Sequence, residues 1–202
     1  MSARRLPRRP TVSQAVSQEE GLWACFSAQQ VSECLRRGEH TERPDPHGGP
    51  EGQTPLHRAC RSGLSAVAEA LLRGGAQPNA SDVHGECPLH ALLAPANLTN
   101  PSIQKHILMG LLRHGANPRL ADQDGNTALH LAAMKGNLDF CERLLAAGAT
   151  LTDRNIEGQT PADLLLVTMP RLAQTSPWRE RLFEMDLQQS LPTTAGPARR
   201  AG

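Results

Sequence analysis

The sequence predicts an all-α array of stacked helix-turn-helix repeats, and two observations support this prediction. Similar tetrapeptides follow Gly52, Gly85, Gly125 and Gly158, which are 33, 40 and 33 residues apart. Hydrophobic residues make up 39% of the 202 residues and aromatic residues only 2%, so Leu, Ala and Val must form the core. Such a core suits thin helical layers better than a globule built around large rings. The four tetrapeptides are Thr54–His57, Cys87–His90, Thr127–His130 and Thr160–Asp163.

Each tetrapeptide has the composition of a helix start. A Thr hydroxyl suits the N-cap, Pro suits the first helical position because its missing N–H costs nothing there, and Leu enters the core. The first three tetrapeptides are followed by sequences of the type Leu-Leu-x-x-Gly-Ala, which end at Ala76, Ala116 and Ala149. A glycine at that position favours the end of a second helix, so each unit is a helix pair.

Thr-Pro-Leu-His at a period of 33 residues resembles the ankyrin repeat. The resemblance implies a solenoid of four to five repeats, with helix-turn-helix layers joined by short β-hairpin fingers. It also implies that the His ring bonds to the Thr hydroxyl and to a backbone group of the next layer. The residues given these structural roles are Thr54, Pro55, Leu56, His57, Pro88, Leu89, His90, Thr127, Leu129, His130, Thr160 and Pro161.

Two units depart from this motif. Cys87 occupies the Thr position beside His90, so a hydroxyl contact to that ring is in doubt. Asp163 replaces His and Ala162 replaces Leu in the last unit, as expected of a terminal repeat with no further layer to hold.

The chain begins with a segment that we expect to be a disordered basic arm, residues 1–20. It holds four arginines and two prolines, and no acidic residue before position 19, so it cannot bury enough apolar surface to offset its ordering entropy. Sharper interpretations are a basophilic kinase site at Thr11, half of a nuclear-import signal, or a mitochondrial presequence, which the prolines disfavour.

The repeats follow in order. Residues 21–48 form a degenerate first repeat with a long finger, and residues 49–82 a regular repeat with helices at Thr54–Arg61 and Ser65–Arg73. Residues 83–121 form a repeat with a seven-residue insertion, placed at 96–102 between its two helices, which is either a tolerated surface loop or a site of private function. Residues 122–154 form the most regular repeat, and residues 155–170 a truncated terminal one.

The pattern is lost at Pro170, and residues 177–191 can form one more helix. It is either a cap over the apolar face of the last repeat, which repeat arrays require, or a helix that binds a partner. We expect residues 192–202 to be a disordered tail.

Bulk properties exclude several classes of function. A net charge of +1 gives no support for nucleic acid or an anionic membrane surface as a partner. No apolar stretch is long enough to span a membrane. Five cysteines without a Cys-x-x-Cys pair, and no secretory leader, indicate a reducing compartment, cytoplasmic or nuclear or both.

Catalytic and metal chemistry are not indicated. The motif histidines fall in different layers, about 10 Å apart in packed helical arrays, whereas zinc ligands must converge within about 2.3 Å of one point. No nucleophile turn or phosphate-cradling loop is present. We therefore expect no enzyme activity, no metal and no cofactor.

Recognition of a protein remains as the expected function, through the variable residues between motif positions. We expect a monomeric scaffold, adaptor or inhibitor that binds a protein partner on a concave face. Alternatives are nuclear regulation of a transcription factor or kinase by surface occlusion, and salt-dependent association with nucleic acid or membrane through the N-terminal arginines. Leu131 and Met134 are expected to form an exposed apolar pair. The candidate partner-binding residues are Arg58, Arg61, His84, Glu86, Gln123, Asp124, Asn126, Leu131, Met134 and Lys135.

Overall fold

The computed structural model describes residues 22, 25, 27–42, 52–94, 100–170, 178 and 180. Over these residues the chain is all-α, which confirms the predicted fold class. The expected arm at 1–20 and the tail at 192–202 lie outside them. The described helices are α1 (Ala28–Arg36), α2 (Pro55–Arg61), α3 (Ser65–Arg73), α4 (Pro88–Leu93), α5 (Pro101–Arg113), α6 (Ala128–Met134), α7 (Leu138–Ala146) and α8 (Pro161–Thr168).

The helices form two rows, as expected of a solenoid. Helices α2, α4, α6 and α8 pack against one another in that order, and α1, α3 and α5 form a second row. Each of the pairs α2/α3, α4/α5 and α6/α7 packs as a hairpin, so three complete layers lie between single described helices at the two ends. The bounds of α2 and α3 confirm the helices predicted for the second repeat, with Thr54 as the N-cap.

Leucine at the motif position forms the centre of the core. Leu56, Leu89 and Leu129 are all 0% exposed, while Ala162 takes the corresponding place in α8. Full burial of one such side chain contributes about 1.5–3 kcal/mol. The five cysteines are also buried, and none of them is in a disulfide, so Cys60 and Cys141 act as small core residues.

The second helices end at the predicted glycines. Gly148, two residues after the end of α7, has φ 97°, a conformation that residues with a Cβ disfavour. This turn lets the amide of Ala149 donate to the carbonyl of Leu144 at 2.9 Å, which satisfies one of the last helical carbonyls.

Part of the insertion in the third repeat belongs to a longer helix, and its residues 96–99 lie outside the described residues. Helix α5 has 13 residues, against nine each in α3 and α7. The prediction of a loop over 96–102 is therefore wrong at its end, because Pro101 and Ser102 belong to α5. Asn100 is the N-cap, with its side chain accepting from the amide of Ser102 at 2.8 Å, and Pro101 suits the first helical position.

The fully described fingers are turns rather than the expected β-hairpins. The pairing of Ala121 with Thr127 is an isolated antiparallel bridge, and no strand occurs in the described ranges. Asp122 accepts from the amides of Asp124 and Asn126 at 2.9 and 2.8 Å. Because one carboxylate satisfies these amides within five residues, the turn closes before a ladder can extend.

The predicted helix at 177–191 lies mostly outside the described residues. Trp178 and Glu180 are described, and both are helical. The Trp178 side chain is buried in the core, with 4% exposure. The cap and the second binding site both stay predictions for this segment.

Candidate functional site

A buried histidine joins each of three layers to the next finger. The backbone amide of Thr54 donates to His57 Nδ1 at 3.1 Å, and the Thr54 hydroxyl lies 2.9 Å from the same nitrogen. His57 Nε2 lies 3.0 Å from the carbonyl oxygen of Glu86. Because an amide can only donate, Nδ1 must be the unprotonated nitrogen, and Nε2–H donates to Glu86. The ring is therefore neutral and holds two layers together.

The same arrangement recurs in the fourth repeat. The amide and hydroxyl of Thr127 lie 3.1 and 2.9 Å from His130 Nδ1, and His130 Nε2 lies 3.2 Å from the carbonyl of Gln159. Both rings are 0% exposed. Burial lowers the pKa of His57 and of His130, which favours the neutral form that the hydrogen bonds require.

Cys87 replaces the Thr hydroxyl with a thiol in the third repeat. Its Sγ lies 2.9 Å from His90 Nδ1, and His90 Nε2 lies 2.9 Å from the carbonyl of Asn126. Burial raises the pKa of the Cys87 thiol, but the His90 ring lowers it more, below its ordinary value. Burial lowers the pKa of His90, and contact with Cys87 reverses this. The thiol is 0% exposed, so this pair is closed to a substrate and acts as a layer contact.

The last unit lacks the imidazole N–H that donates to the next finger in the other three units. Asp163 Oδ2 accepts from the amide and the hydroxyl of Thr160 at 2.9 and 2.8 Å. The hydrogen bond from the Thr160 backbone lowers the pKa of Asp163, so the group stays ionised. A carboxylate has no proton to donate onward, and the series of layer contacts ends at Thr160.

Successive fingers stack through their backbones. The amide of Gln123 donates to the carbonyl of His84, and the amide of Ile156 donates to the carbonyl of Asp124, both at 2.9 Å. The side-chain amide of Asn155 donates to Asn126 Oδ1 at 3.0 Å. The backbone polar groups of the fingers are thus largely used inside the stack, which leaves side chains to contact a partner.

The predicted finger residues lie together. His84, Gln123 and Asp124 are exposed, while Glu86 and Asn126 are half-buried. A cavity of about 190 Å³ lies between two fingers. Its lining residues are His84, Glu86, Asp122, Gln123 and Asp124. Arg61 reaches this group from α2, since its guanidinium lies 2.9 Å from a carboxylate oxygen of Glu86.

The expectation of an exposed apolar pair on α6 is wrong for one member. Met134 is 41% exposed, but Leu131 is only 8% exposed. Helix α6 packs against α4, α7 and α8, so its middle turn is covered on several sides. Met134, at the end of the helix, therefore provides the accessible apolar group.

The other predicted helix residues differ in how far they are available. Arg58 is half-buried on α2. Lys135 is exposed, yet its Nζ donates to the carbonyl of Ala94 at 2.7 Å, and burial lowers the pKa of this amine. Lys135 thus supports the end of α4, where the inserted segment begins.

Sequence reasoning missed two exposed apolar side chains in the last described repeat. Val167 on α8 is 79% exposed, and Ile156 in the last finger is 72% exposed. Register indicates the first of them, because Val167 follows Thr160 by seven residues as Met134 follows Thr127. Because α6 packs against α8, Val167 extends the candidate surface from α6 to the last described helix.

Over the described ranges, no three His, Cys, Asp or Glu side chains come together in a metal-binding arrangement. Among helices α1 to α8, none combines the length and apolar character that crossing a bilayer requires.

Two family profiles match the chain. The profile described as "Ankyrin repeats (many copies)" matches residues 111–165, and the profile described as "Ankyrin repeat" matches residues 51–83. The matched segments contain α2, α3, α6 and α7 in full. Repeats of this family are generally non-catalytic and generally mediate protein–protein interaction.

Several characterised proteins are similar to parts of the chain. The tyrosine-protein kinase HTK16 of Hydra vulgaris is 31% identical over 115 residues, which are 57% of this chain and 14% of the kinase. The human neurogenic locus notch homolog protein 4 is 45% identical over 51 residues, which are 25% of this chain and 2% of that protein. Human Rabankyrin-5 is 43% identical over 44 residues, which are 22% of this chain and 4% of that protein. The chain thus spans a small part of the length of each relative.

Proposed function

Because the chain is an ankyrin-repeat protein, we propose that it is a non-catalytic binding module that holds a protein partner on the concave side expected of such a stack. One observation carries the proposal: the finger backbones are used in stacking, while neighbouring side chains of the fingers and first helices remain accessible. We call this set the finger face, and its members are Arg58, Arg61, His84, Glu86, Gln123, Asp124, Asn126, Met134, Lys135 and Val167.

The chemistry of the finger face changes along the stack. The register positions held by Arg58 and Arg61 on α2 are held by Leu131 and Met134 on α6. Arg61 is paired with Glu86, whereas Met134 and Val167 expose large fractions of apolar side chain. Apolar groups that leave water contribute most to affinity, and Met adapts to irregular partners. We therefore assign the strongest contact to Met134 and Val167, with the polar fingers setting orientation.

The test compares two exposed apolar residues on opposite rows of helices. Met134→Asp places a charge on the finger face, and Ile103→Asp places one on α5, where Ile103 is 39% exposed. Proximity labelling in cells with the full chain should recover a set of proteins for the wild type and for Ile103→Asp that is lost for Met134→Asp. Circular dichroism should show equal helicity for the three proteins. An identical set with folded Met134→Asp would contradict the proposal.

The scaffold, adaptor and inhibitor roles share this surface and differ in what the partner does when bound. A scaffold or adaptor leaves the partner active, whereas an inhibitor occludes the partner's own site. Once a partner is recovered, its activity with wild-type chain and with Met134→Asp decides between them. Loss of activity only with the wild type indicates occlusion.

A further inference from the structure

Two buried thiols lie in contact at the N-terminal end of the stack. The Sγ atoms of Cys25 and Cys34 are 3.6 Å apart. Cys34 lies on α1, and Cys25 precedes that helix. Their side chains are 2% and 1% exposed, and neither cysteine is in a disulfide.

The backbone around the pair is held by Glu39. Its carboxylate accepts from the amide of Leu22 at 2.8 Å, and its own amide donates to the carbonyl of Cys34 at 3.2 Å. The amide of Cys25 donates to the carbonyl of Leu22 at 3.3 Å. Leu22 and Cys25 are therefore fixed against the C-terminal end of α1, which keeps the two thiols facing each other.

We propose that Cys25 and Cys34 are a reversible redox modification site that forms an intramolecular disulfide. A disulfide needs the sulfurs about 2.05 Å apart, so the pair must close by roughly 1.5 Å from its contact distance. Side-chain rotation with a small shift of the Cys25 backbone supplies this movement. The product closes a short loop and joins α1 covalently to the segment before it.

The reaction requires a two-electron oxidant, and hydrogen peroxide is one of suitable size. One thiolate attacks a peroxide oxygen, the O–O bond breaks, and a sulfenic acid forms with release of water after protonation. The second thiol then attacks that sulfur, the S–O bond breaks, and a second water leaves. Two thiols and one peroxide thus give one disulfide and two waters, and a dithiol reductant reverses the change.

Burial determines the rate of this reaction. It raises the pKa of the Cys25 thiol to about 12 and raises the pKa of the Cys34 thiol, so the closed layer holds little thiolate. Local opening of the first layer exposes the thiols and returns their pKa toward about 8.5. Oxidation is therefore expected to require opening of α1, and the disulfide then suppresses further opening.

The experiment uses the full chain treated with hydrogen peroxide and digested without reduction. Cleavage after Glu20, Glu33 and Glu39 places Cys25 in peptide 21–33 and Cys34 in peptide 34–39. In the oxidised wild type these peptides should remain joined, with a mass two hydrogens below their sum. Hydrogen exchange of the α1 amides should slow by roughly tenfold or more on oxidation, and recover with dithiothreitol.

Cys34→Ala removes one thiol, and Cys141→Ala is the matched control because it removes another buried cysteine away from the pair. Cys141→Ala should retain the joined peptides and the slowed exchange, whereas Cys34→Ala should lose both. If Cys34→Ala unfolds, the wild type and Cys141→Ala still decide the matter through the peptide map. Disulfides that pair other cysteines, sulfinic acid at Cys25 or Cys34 in place of the link, or thiols that stay reduced would each overturn the proposal.

Discussion

A single nitrogen decides how the histidines act. The backbone amides of Thr54 and Thr127 donate hydrogen bonds to Nδ1 of His57 and His130. An accepting Nδ1 must be unprotonated, so each of these layer contacts needs a neutral ring. The motif letters predict a helix start and a buried Leu. They do not predict a tautomer, because that depends on which backbone groups tertiary packing brings to the ring.

We predict that the free energy of unfolding decreases as the pH falls below the pKa of an unperturbed histidine. The lowered pKa values of His57 and His130 mean that the unfolded chain binds protons from about pH 6.5 downward while the folded chain does not. The unfolded state then carries more bound protons, so the free energy of unfolding falls. Each pKa unit of lowering contributes about 1.4 kcal/mol. Urea unfolding between about pH 7.5 and pH 5.5 measures the slope.

The double variant His57→Gln/His130→Gln is the comparison. A Gln at the third helical position can accept from the N-cap amide, so the helix starts are retained while the titrating rings are removed. We expect a lower stability at neutral pH and a flatter dependence on pH. His90 is present in both proteins, so its opposite pKa shift cancels in the difference. Parallel slopes for wild type and variant would show that these rings do not control the pH response.

At the scale of elements, the fingers stack so closely that one glycine has no room for a side chain. A Cβ on Gly125, where φ is 75°, would lie 2.9 Å from the Cα of Asn155 in the next finger. Gly158 has nearly the same φ, 76°, and a Cβ there would meet nothing within 4 Å. The pair separates backbone strain from contact with the neighbouring layer.

We therefore predict different costs for two alanine substitutions. Gly158→Ala should lower the free energy of unfolding by about 1–2 kcal/mol, the cost of a left-handed conformation with a Cβ. Gly125→Ala should add about 1–3 kcal/mol to that cost, because the next finger must move. Urea unfolding of the two variants checks the order. Equal losses would mean that the fingers yield to each other without cost.

The helix pairs could be predicted from sequence because their signals are local. Caps, Leu positions and Gly stops fixed α2 and α3 within one residue. Two other details were not predicted, one from a local signal that was missed and one because it depends on neighbouring helices. Asn100 and Pro101 form the start of α5, so part of the insertion is helical, although the repeat register alone predicts a loop there. Leu131 has the spacing of an exposed residue, but packing by α4, α7 and α8 buries it, and a repeat pattern cannot show how completely neighbours close over one turn.

At the scale of the whole molecule, stability depends on nearest-neighbour layers. Leu129 in α6 and Leu165 in α8 are both 0% exposed, yet α6 packs between α4 and α8. Removing a side chain from a middle layer weakens contacts in both directions along the stack. Removing one from α8 weakens contacts with a single described layer of the array, α6/α7.

We predict that the two leucines differ in the range of their effect. Leu129→Ala should cost about 2–5 kcal/mol and accelerate hydrogen exchange throughout the stack. Leu165→Ala should accelerate exchange mainly in α8, while α2 and α4 keep wild-type protection. Exchange followed by mass spectrometry measures both. Uniform acceleration by Leu165→Ala would indicate that the array unfolds as one cooperative unit.

The layer contacts have a direction that bears on how the chain is made. His57, His90 and His130 each donate to a carbonyl of the finger that follows, and Asp163 ends the series. During synthesis the carbonyl that accepts from each ring therefore leaves the ribosome about one repeat after the ring itself. Among the described helices, the nascent stack therefore ends in one unpaired ring from α2 until α8 is added, because α8 carries the carboxylate of Asp163 in place of a ring.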